Sequence, residues 1–412
     1  MKKIFTFIFY FVFTVYTLEA ILFLFLPQKS FSKQQVLNKR IELAKEKGIN
    51  FDKRTPNQAF FDFKETNNDL EPKFFYSPIF RFSKVFNDAK KNNMIIPFRG
   101  PINSKTLSCA EEGKYHLDVS DKFGFKNANS IYQKKINTIV LGDSLAEGNC
   151  QDIQNNIPGH LIKKGFSTLN LGVIGTSVLV PIGIMREFGE ITRPKNFIYL
   201  YAEQNDLDGL NWSKKDKHLM KYLNNNDYKI NYLKRLDEIK NFLKEVSFET
   251  LSWNERNKNP EKPVIKPKTK LEILKENFID ILELKNIKEI VRHKILNQPY
   301  IETDLELLYL AIEKMDEEAK KYNSNFIFVY VPSSLRYFST PSYALLDQKQ
   351  QIYLKNQILI EIKKRNIQVL DLTDYFDTVK DISNYYNVGY LGHFNSKGYE
   401  KISELISLEL KR

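Results

Sequence analysis

The chain has 412 residues, of which 42% are hydrophobic and 27% charged, as is typical of a globular protein with one large or two modest domains and unlike a disordered or fibrous chain. Its two cysteines are too few for a disulfide scaffold or a zinc ribbon. The formal net charge of +12 comes from 62 basic residues spread among 50 acidic ones, and since no basic or aromatic nucleic-acid-binding module accompanies them, we expect no nucleic-acid partner.

The first 27 residues predict a membrane-spanning helix. An apolar run from Ile4 to Leu26 follows two lysines, and as a helix it would be about 35 Å long, enough to cross a hydrocarbon core of about 30 Å. The residues after Ala20 are still apolar, so we expect an uncleaved signal anchor over residues 1–27, with a cleaved signal peptide as the alternative.

The length of the chain after the helix predicts the orientation of the helix. Long downstream domains cross a membrane largely regardless of flanking charge, so we expect residues 28–412 outside the cytoplasm although lysines flank the helix on both sides. Glu19 lies within the apolar run. An acid there indicates either a partner helix or a tolerated charge, and both interpretations stay open.

Residues 28–130 predict a mixed accessory region. A helix is expected from Ser32 to Gly48, where apolar residues recur at helical spacing before the glycine. A loop-rich stretch with many Phe residues follows. Such aromatic residues usually pack against a neighbouring domain, and a carbohydrate-binding platform is the alternative.

From Ile136 onward, short apolar runs alternate with helical segments. The runs are mostly apolar at consecutive positions and are bounded by Gly, Pro, Asn or Asp, which is typical of strands buried on both faces of a parallel sheet. We therefore expect an α/β domain over residues 131–412. The predicted strands are Ile136–Leu141, Thr168–Leu171, Phe197–Tyr201, Phe326–Val331 and Ile367–Leu372. The predicted helices of the domain cover about Pro158–Lys164, Val178–Phe188 and the residues after Asn395.

The alternation breaks at about residues 211–325, which predicts a helical insertion. The Lys- and Pro-rich segment Asn257–Lys270 is expected to be a loop. Long charged helices are expected over Tyr228–Val246, Leu271–Leu296 and Glu302–Tyr322.

Four short segments carry the candidate functional residues. Three of them directly follow predicted strands and one precedes the last helix, and the carboxyl ends of parallel strands meet at one edge of a sheet. We therefore expect the four segments to lie close together. They are Gly142-Asp143-Ser144-Leu145, Gly172-Val173-Ile174-Gly175-Thr176, Glu203-Gln204-Asn205-Asp206 and Gly392-His393-Phe394-Asn395.

These segments supply the groups that acyl transfer from an ester needs. Ser144 offers a nucleophilic hydroxyl, and His393 offers a base that takes its proton and later returns it to the leaving group. The backbone N–H groups of Ser144 and Gly175 and the side-chain amide of Asn205 offer three donors for the oxyanion. Each segment alone is a weak signal, whereas four in order indicate a catalytic site.

With these four segments the chain resembles the SGNH hydrolase superfamily, also called GDSL esterases and lipases. The resemblance covers roughly residues 136–210 and 325–412. It implies a three-layer α/β/α sandwich around a parallel sheet of about five strands, and ester chemistry without a metal or another cofactor. Residues 121–127 also resemble a segment found upstream of the serine block in bacterial, membrane-anchored members, which implies a single-pass protein of the inner membrane with its main domain in the periplasm.

One position departs from the family's pattern. The family usually has an Asp three or two residues before the histidine, where this chain has Tyr390 and Leu391. We therefore expect a Ser–His dyad, with the imidazole oriented by a backbone carbonyl or by a carboxylate from elsewhere, such as Asp371 or Asp374. The alternative is a degenerate domain that binds an acyl or glycan ligand without cleaving it.

The two cysteines, Cys109 and Cys150, flank the serine segment. Because cysteines outside the cytoplasm commonly pair, we expect a disulfide that holds the upstream segment beside the site. Two separate buried thiols are the alternative, since sequence does not give the distance between them.

Three functions follow from these observations. The first is a membrane-anchored serine esterase or deacylase that acts on an acylated small molecule, glycan or lipid. The second is an O-acyltransferase that passes the acyl group to a cell-surface polysaccharide, and the third is a non-catalytic, membrane-tethered glycan-binding or scaffold protein. The expected partners are the membrane, through the N-terminal helix, and an acyl ester or glycan; the sequence does not predict an oligomeric state.

Overall fold

Three helices and two short ribbons make up the described N-terminal part of the chain. The structure is a computed structural model that describes residues 2–25, 33–76, 88, 96–203, 205–256, 278–279, 281–291, 304–338, 344–388 and 393–412. The helices are α1 (Lys2–Phe25), α2 (Lys33–Glu46) and α3 (Pro56–Lys64). The antiparallel ribbons pair β1 (Phe74–Phe75) with β2 (Arg99–Gly100), and β3 (Lys105–Leu107) with β4 (Leu117–Val119).

Helix α1 is long and apolar enough to cross a membrane. The candidate span is Phe5–Phe23, and only 6% of its residues are buried within the protein. Most of its large apolar side chains are therefore exposed, as expected of a helix whose surroundings are lipid. A signal peptide near an N-terminus meets the same criteria of length and composition.

The central sheet has five parallel strands, as predicted. They are β5 (Thr138–Gly142), β6 (Thr168–Asn170), β7 (Asn196–Ala202), β8 (Asn325–Val331) and β9 (Gln368–Asp371). Their order in the sheet is β6-β5-β7-β8-β9. The chain passes from β5 to β6 on one side of β5 and then crosses to β7 on the other side of β5. Such sheets bind ligands where the strand order reverses, which here is the crevice at the carboxyl ends of β5 and β7.

Helices cover both faces of this sheet and complete the three layers. The helices that follow β4 in the described chain are α4 (Ser144–Glu147), α5 (Ile157–Lys163), α6 (Leu179–Thr192), α7 (Asp206–Ser213), α8 (Lys217–Asn224), α9 (Leu236–Arg256), α10 (Lys285–Ile290), α11 (Leu305–Lys321), α12 (Ala344–Lys364), α13 (Thr373–Phe376) and α14 (Ser396–Glu409). Val140, Ile198 and Val329 pack with α5 and α14 on one face. Their neighbours Ile139 and Tyr199 pack with α6 and α11 on the other. Both faces of β5, β6, β7 and β8 are thus largely buried, which is why these strands are apolar at consecutive positions. The edge strand β9 is exposed at Gln368 and half-buried over residues 369–371.

The region between β7 and β8 is helical in its described parts, α7 to α11. The predicted helix over Tyr228–Val246 starts later than expected, because Asn231 has a left-handed φ of 55° and a 3₁₀ turn over Tyr232–Arg235 precedes α9. Of the predicted helix Leu271–Leu296, the described part contains α10. The predicted loop Asn257–Lys270 lies outside the described residues.

The segment at residues 121–127 joins the N-terminal part to the sheet. The carboxylate of Asp121 accepts hydrogen bonds from the backbone N–H groups of Phe123 and Phe125, which closes a tight turn. The side chain of Asn127 then donates to the carbonyl of Asn170 at the end of β6, at 2.8 Å. The residues before β5 are therefore part of the frame around the carboxyl edge of the sheet.

Candidate active site

The end of β5 presents a serine at the carboxyl edge of the sheet. Gly142 has a φ of +138°, and a Cβ there would lie 2.6 Å from the carbonyl oxygen of Leu200, so only glycine fits. Asp143 caps the following helix α4 by accepting from the N–H of Leu145 at 2.9 Å. Ser144, the first residue of that helix, projects its hydroxyl into the crevice.

The imidazole of His393 meets this hydroxyl. The distance from Ser144 Oγ to His393 Nε2 is 2.8 Å, which is hydrogen-bond distance between a nucleophile and its base. The histidine is held on its C-terminal side by a bridge between Tyr386 and Phe394, and by Asn395, which caps α14. The structure thus brings together two groups that are 249 residues apart in the sequence.

A third group, Glu111, completes the arrangement. Its Oε2 lies 2.9 Å from His393 Nδ1 and also accepts from the backbone N–H of His393 at 3.2 Å. The amide of Asn387 donates to the same oxygen at 3.3 Å. The other carboxylate oxygen faces Arg40 of α2, at 3.3 Å. Glu111 therefore fixes the imidazole with Nε2 toward Ser144, which is the role of the acid in a Ser–His–acid triad.

The charges of this group perturb one another. Burial raises the pKa of Glu111, but the charge and hydrogen bonds of His393, together with Arg40, outweigh it and lower the pKa to about 2. Burial lowers the pKa of His393, but the Glu111 carboxylate outweighs it and raises the pKa above its ordinary value. Glu111 is therefore ionised, and it stabilises the protonated imidazole that forms when the base takes a proton.

The prediction of Asp371 or Asp374 as the orienting acid is wrong. The carboxylate of Asp371 accepts from the backbone N–H and the hydroxyl of Thr373 and pairs with Lys355 at 2.8 Å. Asp374 is exposed on α13. Asp371 is thus engaged at the end of β9, and Asp374 faces solvent. Because β9 is an edge strand and lies away from β5, neither carboxylate is beside Ser144 and His393.

The sequence carries one signal for Glu111, a nearby cysteine. The residue lies two positions after Cys109, and the structure joins Cys109 to Cys150 in a disulfide with a Cα–Cα distance of 4.9 Å. The backbone N–H of Cys150 also donates to Ser108 Oγ at 3.2 Å. The disulfide therefore ties the loop that carries Glu111 to the turn after α4. Because both sulfur atoms are in that bond, Cys109, Glu111 and Cys150 do not form a metal site although their ligand atoms are close together.

Of the expected oxyanion donors, Asn205 lines the same cavity as Ser144. Its Nδ2 donates to the carboxylate of Asp143 at 2.6 Å, which fixes the amide beside the nucleophile. Gly175 lies in the loop after β6 with a φ of +69°. Gly175 is not among the described residues that line the cavity. The predicted role of its N–H as an oxyanion donor is therefore not supported by the cavity lining.

The loop that carries Gly175 is held by a buried carboxylate on α4. Glu147 Oε2 accepts from the backbone N–H of Ile174 at 2.9 Å. Its Oε1 pairs with Lys73 at 2.7 Å and with Arg99 at 3.0 Å, both from the N-terminal part of the chain. Burial raises the pKa of Glu147, but the cations Arg99 and Lys73 outweigh it and lower the pKa. An ionised group on α4 thus joins that loop to residues far upstream.

The cavity beside Ser144 is small. It has a volume of about 170 Å³ and opens between the carboxyl ends of β5, β7 and β8. Glu203 at its wall is fully engaged: it accepts from Tyr330, from the backbone N–H of Ser333 and from Arg336. Glu203 therefore joins the ends of β7 and β8 and does not serve as a second acid. The arrangement provides a nucleophile, a base with its acid, an amide donor and a short pocket.

Comparisons with known proteins give distant similarity only. No family model and no curated protein matches the chain. A putative lipolytic protein of the G-D-S-L family from Desulfitobacterium hafniense DCB-2 is 14% identical over 66% of this chain and 97% of that one, with a TM-score of 0.34. A GDSL-like lipase from Bacteroides thetaiotaomicron VPI-5482 is 12% identical over 68% of this chain and 89% of that one, with a TM-score of 0.33. At TM-scores this low neither similarity carries an argument, and the fold and the site stand on this chain's own geometry.

Proposed function

We propose that the chain is a serine esterase or deacylase of SGNH type with the triad Ser144, His393 and Glu111. The observation that carries the proposal is the continuous set of contacts from Ser144 Oγ to His393 Nε2, at 2.8 Å, and from His393 Nδ1 to Glu111 Oε2, at 2.9 Å. A nucleophile, a base and an orienting acid within hydrogen-bond distance are the combination that nucleophilic catalysis on esters needs.

In the proposed reaction, Ser144 Oγ attacks the carbonyl carbon of the ester while His393 Nε2 takes the hydroxyl proton. The Asn205 amide and backbone N–H groups stabilise the negative charge on the carbonyl oxygen. The bond to the alcohol oxygen then breaks, His393 gives its proton to that oxygen, and the acyl group remains on Ser144. A water molecule, deprotonated by His393, then attacks the acyl carbon. The bond from that carbon to Ser144 Oγ breaks, His393 returns the proton to Ser144 Oγ, and the acid is released.

The presence of Glu111 bears on the alternatives. The non-catalytic interpretation rested on the lack of an acid just before His393, and Glu111 supplies a carboxylate in the position that this acid would take. The volume of the cavity, about 170 Å³, is below the range of about 300–1,000 Å³ that is common for drug-sized ligands. It therefore favours a short acyl group such as acetyl, with the alcohol part of the substrate outside the cavity.

We place the main domain outside the cytoplasm, in the periplasm of a bacterial cell, with α1 as an uncleaved anchor in the inner membrane. Two observations support this placement. The span Phe5–Phe23 is long and apolar enough to cross a membrane. The Cys109–Cys150 disulfide is of a kind that persists in oxidising compartments.

The test is labelling and turnover by the full chain in detergent. A fluorophosphonate probe should label the protein, and p-nitrophenyl acetate should be hydrolysed. Ser144→Ala should lose both, whereas Ser130→Ala, at an exposed serine outside the cavity, should keep both. Equal labelling and equal rates in Ser144→Ala would contradict the proposal. Product analysis with and without an oligosaccharide separates hydrolysis from transfer, since both pass through the same acyl-enzyme.

A further inference from the structure

The acid inside α1 has a partner that lies far along the chain. Glu19 is fully buried, although most of α1 is exposed. Its Oε2 accepts a hydrogen bond from the backbone N–H of Ile287, at 2.8 Å, in the first turn of α10. A buried carboxylate in an apolar helix is costly unless a donor satisfies it, and the insertion provides that donor.

A second contact fixes the same segment one turn further into the span. The hydroxyl of Tyr16 donates to the carbonyl oxygen of Leu282, at 3.2 Å. The candidate span ends at Phe23, so Glu19 lies about 6 Å and Tyr16 about 10 Å inside it along the helix axis, at 1.5 Å per residue. The backbone between Leu282 and Ile287 therefore lies at the depth of the outer half of α1.

The exposed side chains around these contacts include three large apolar ones, next to the charged Glu283 and Lys288, as on an amphipathic element. We call residues 278–279 and 281–291 the apolar segment. Within it Phe278 is 61%, Ile279 41% and Leu282 50% exposed. Three large apolar side chains exposed together on a segment that touches an apolar helix are unusual for a water-facing surface, and they match the apolar face of an interfacial element.

We propose that the apolar segment enters the same leaflet as the outer end of α1, where Phe278, Ile279 and Leu282 contact acyl chains and Glu19 holds the segment in place. The inference rests on α1 remaining in the membrane, which is part of the proposed function. The apolar segment lies directly against α1, so the lipid that surrounds α1 extends over the exposed side chains of the segment. Bilayer lipid is therefore what covers Phe278, Ile279 and Leu282. The protein then has two membrane contacts, and its catalytic domain is held close to the bilayer surface.

The experiment measures membrane depth at single positions of the full chain. Leu282→Cys is labelled with a nitroxide without reducing the native disulfide, and the protein is reconstituted into vesicles of phosphatidylethanolamine and phosphatidylglycerol. Two matched sites are labelled in the same way. Phe11→Cys is exposed on α1, and Leu408→Cys is exposed on α14 of the α/β domain. Paramagnetic resonance then compares relaxation by oxygen, which concentrates in lipid, with relaxation by a water-soluble nickel chelate.

The ratio of oxygen to nickel accessibility at position 282 should exceed that at position 408 severalfold and should be lower than that at position 11, which lies nearer the middle of the span. Nickel accessibility at 282 equal to that at 408 would overturn the inference while leaving the anchor intact. Exclusion of both reagents at 282 would also overturn it, because protein and not lipid would then cover the segment. If position 11 is itself open to nickel, the anchor fails and the inference fails with it.

Glu19 variants test the contact that holds the segment. Glu19→Gln keeps an oxygen that can accept from the Ile287 N–H, so the accessibility ratio at position 282 should stay the same. Glu19→Leu removes the acceptor, so the ratio should fall toward the value for water. The same ratio in both variants would overturn the assignment of Glu19 as the holding contact.

Discussion

Replacing Glu111 by glutamine tests the one member of the proposed triad that the sequence did not predict. In the native site the carboxylate accepts from His393 Nδ1 at 2.9 Å, so the imidazole carries its proton there and offers the lone pair of Nε2 to Ser144. A glutamine has nearly the same shape but no charge. Its amide can also donate to Nδ1, which leaves the proton on Nε2, where it faces the hydroxyl and prevents base catalysis.

The expected loss in kcat follows from the charge that is removed. With the charge centres of Glu111 and the protonated imidazole about 4 Å apart and an effective dielectric constant of about 20, their attraction is about 4 kcal/mol, or about 10³-fold in rate. The wrong tautomer adds to this loss, so we expect kcat to fall by about 10³–10⁴-fold. Arg40 on the other carboxylate oxygen, at 3.3 Å, already offsets part of the charge and favours the lower figure.

The assay is the pH dependence of kcat/KM for p-nitrophenyl acetate, measured on the full chain. The acid limb of the native enzyme should have its midpoint above the ordinary imidazole value, because the pKa of His393 is raised. In Glu111→Gln the midpoint should move to lower pH while the plateau falls. Glu112→Gln is the matched control: this neighbouring carboxylate accepts from Gln151 and should leave both quantities unchanged. Native kcat in Glu111→Gln, with fluorophosphonate labelling also unchanged, would refute the role of Glu111.

Three further predictions concern the donor, the disulfide and pH. Asn205→Ala should lower kcat by about 10²–10³-fold with little change in KM, since it removes one oxyanion donor, and unchanged steady-state kinetics would remove Asn205 from that role. Cys109→Ser/Cys150→Ser should lower the free energy of unfolding by about 4 kcal/mol in urea titrations, because the disulfide joins residues 41 positions apart, and native stability would contradict this. The pKa of Glu111 is lowered from 4.5 to about 2, so its stabilising contribution is present above the higher value and is lost as the pH falls toward the lower one. The pKa of His393 is raised above 6.5, so its contribution is complete below that value and is lost as the pH rises through the folded-state pKa. Urea titrations of Glu111→Gln across pH should show both limbs flattened.

The sheet was predictable from sequence because its signal is local. Four of the strands are largely buried on both faces, and the edge strand β9 is half-buried. All five form short apolar runs bounded by turn residues, so these runs predicted all five strands, and β8 matches within one residue. Ser144 and Asn205 follow strands that are neighbours in the sheet, and parallel pairing alone brings such residues to one edge. The fold and the position of Ser144 therefore follow from short-range pattern and strand order.

The acid was not predictable in the same way. Glu111 lies in a loop between two short strands, β3 and β4, whose apolar pattern is too brief to fix their position. It reaches His393 through contacts that are distant in sequence: the disulfide at Cys109, and the pairing of Lys73 with Glu147 that ties this part of the chain to α4. Such contacts depend on tertiary packing, and no periodicity in the sequence reports them.

Arg40, in the accessory region, acts on the same pair of Glu111 and His393. Its replacement should change the pKa of His393 in the direction opposite to the replacement of Glu111. Its guanidinium lies 3.3 Å from Glu111 and lowers the pKa of His393, against the effect of the carboxylate. Arg40→Gln should therefore raise the pKa of His393 and move the acid limb of kcat/KM to higher pH, whereas Glu111→Gln moves it to lower pH. The plateau should fall far less than in Glu111→Gln, because the acid stays in contact with the imidazole. If the acid limbs of kcat/KM move in the same direction in both variants, the charges of Glu111 and Arg40 do not set the pKa of His393. The accessory region would then contribute to the shape of the site but not to its electrostatics.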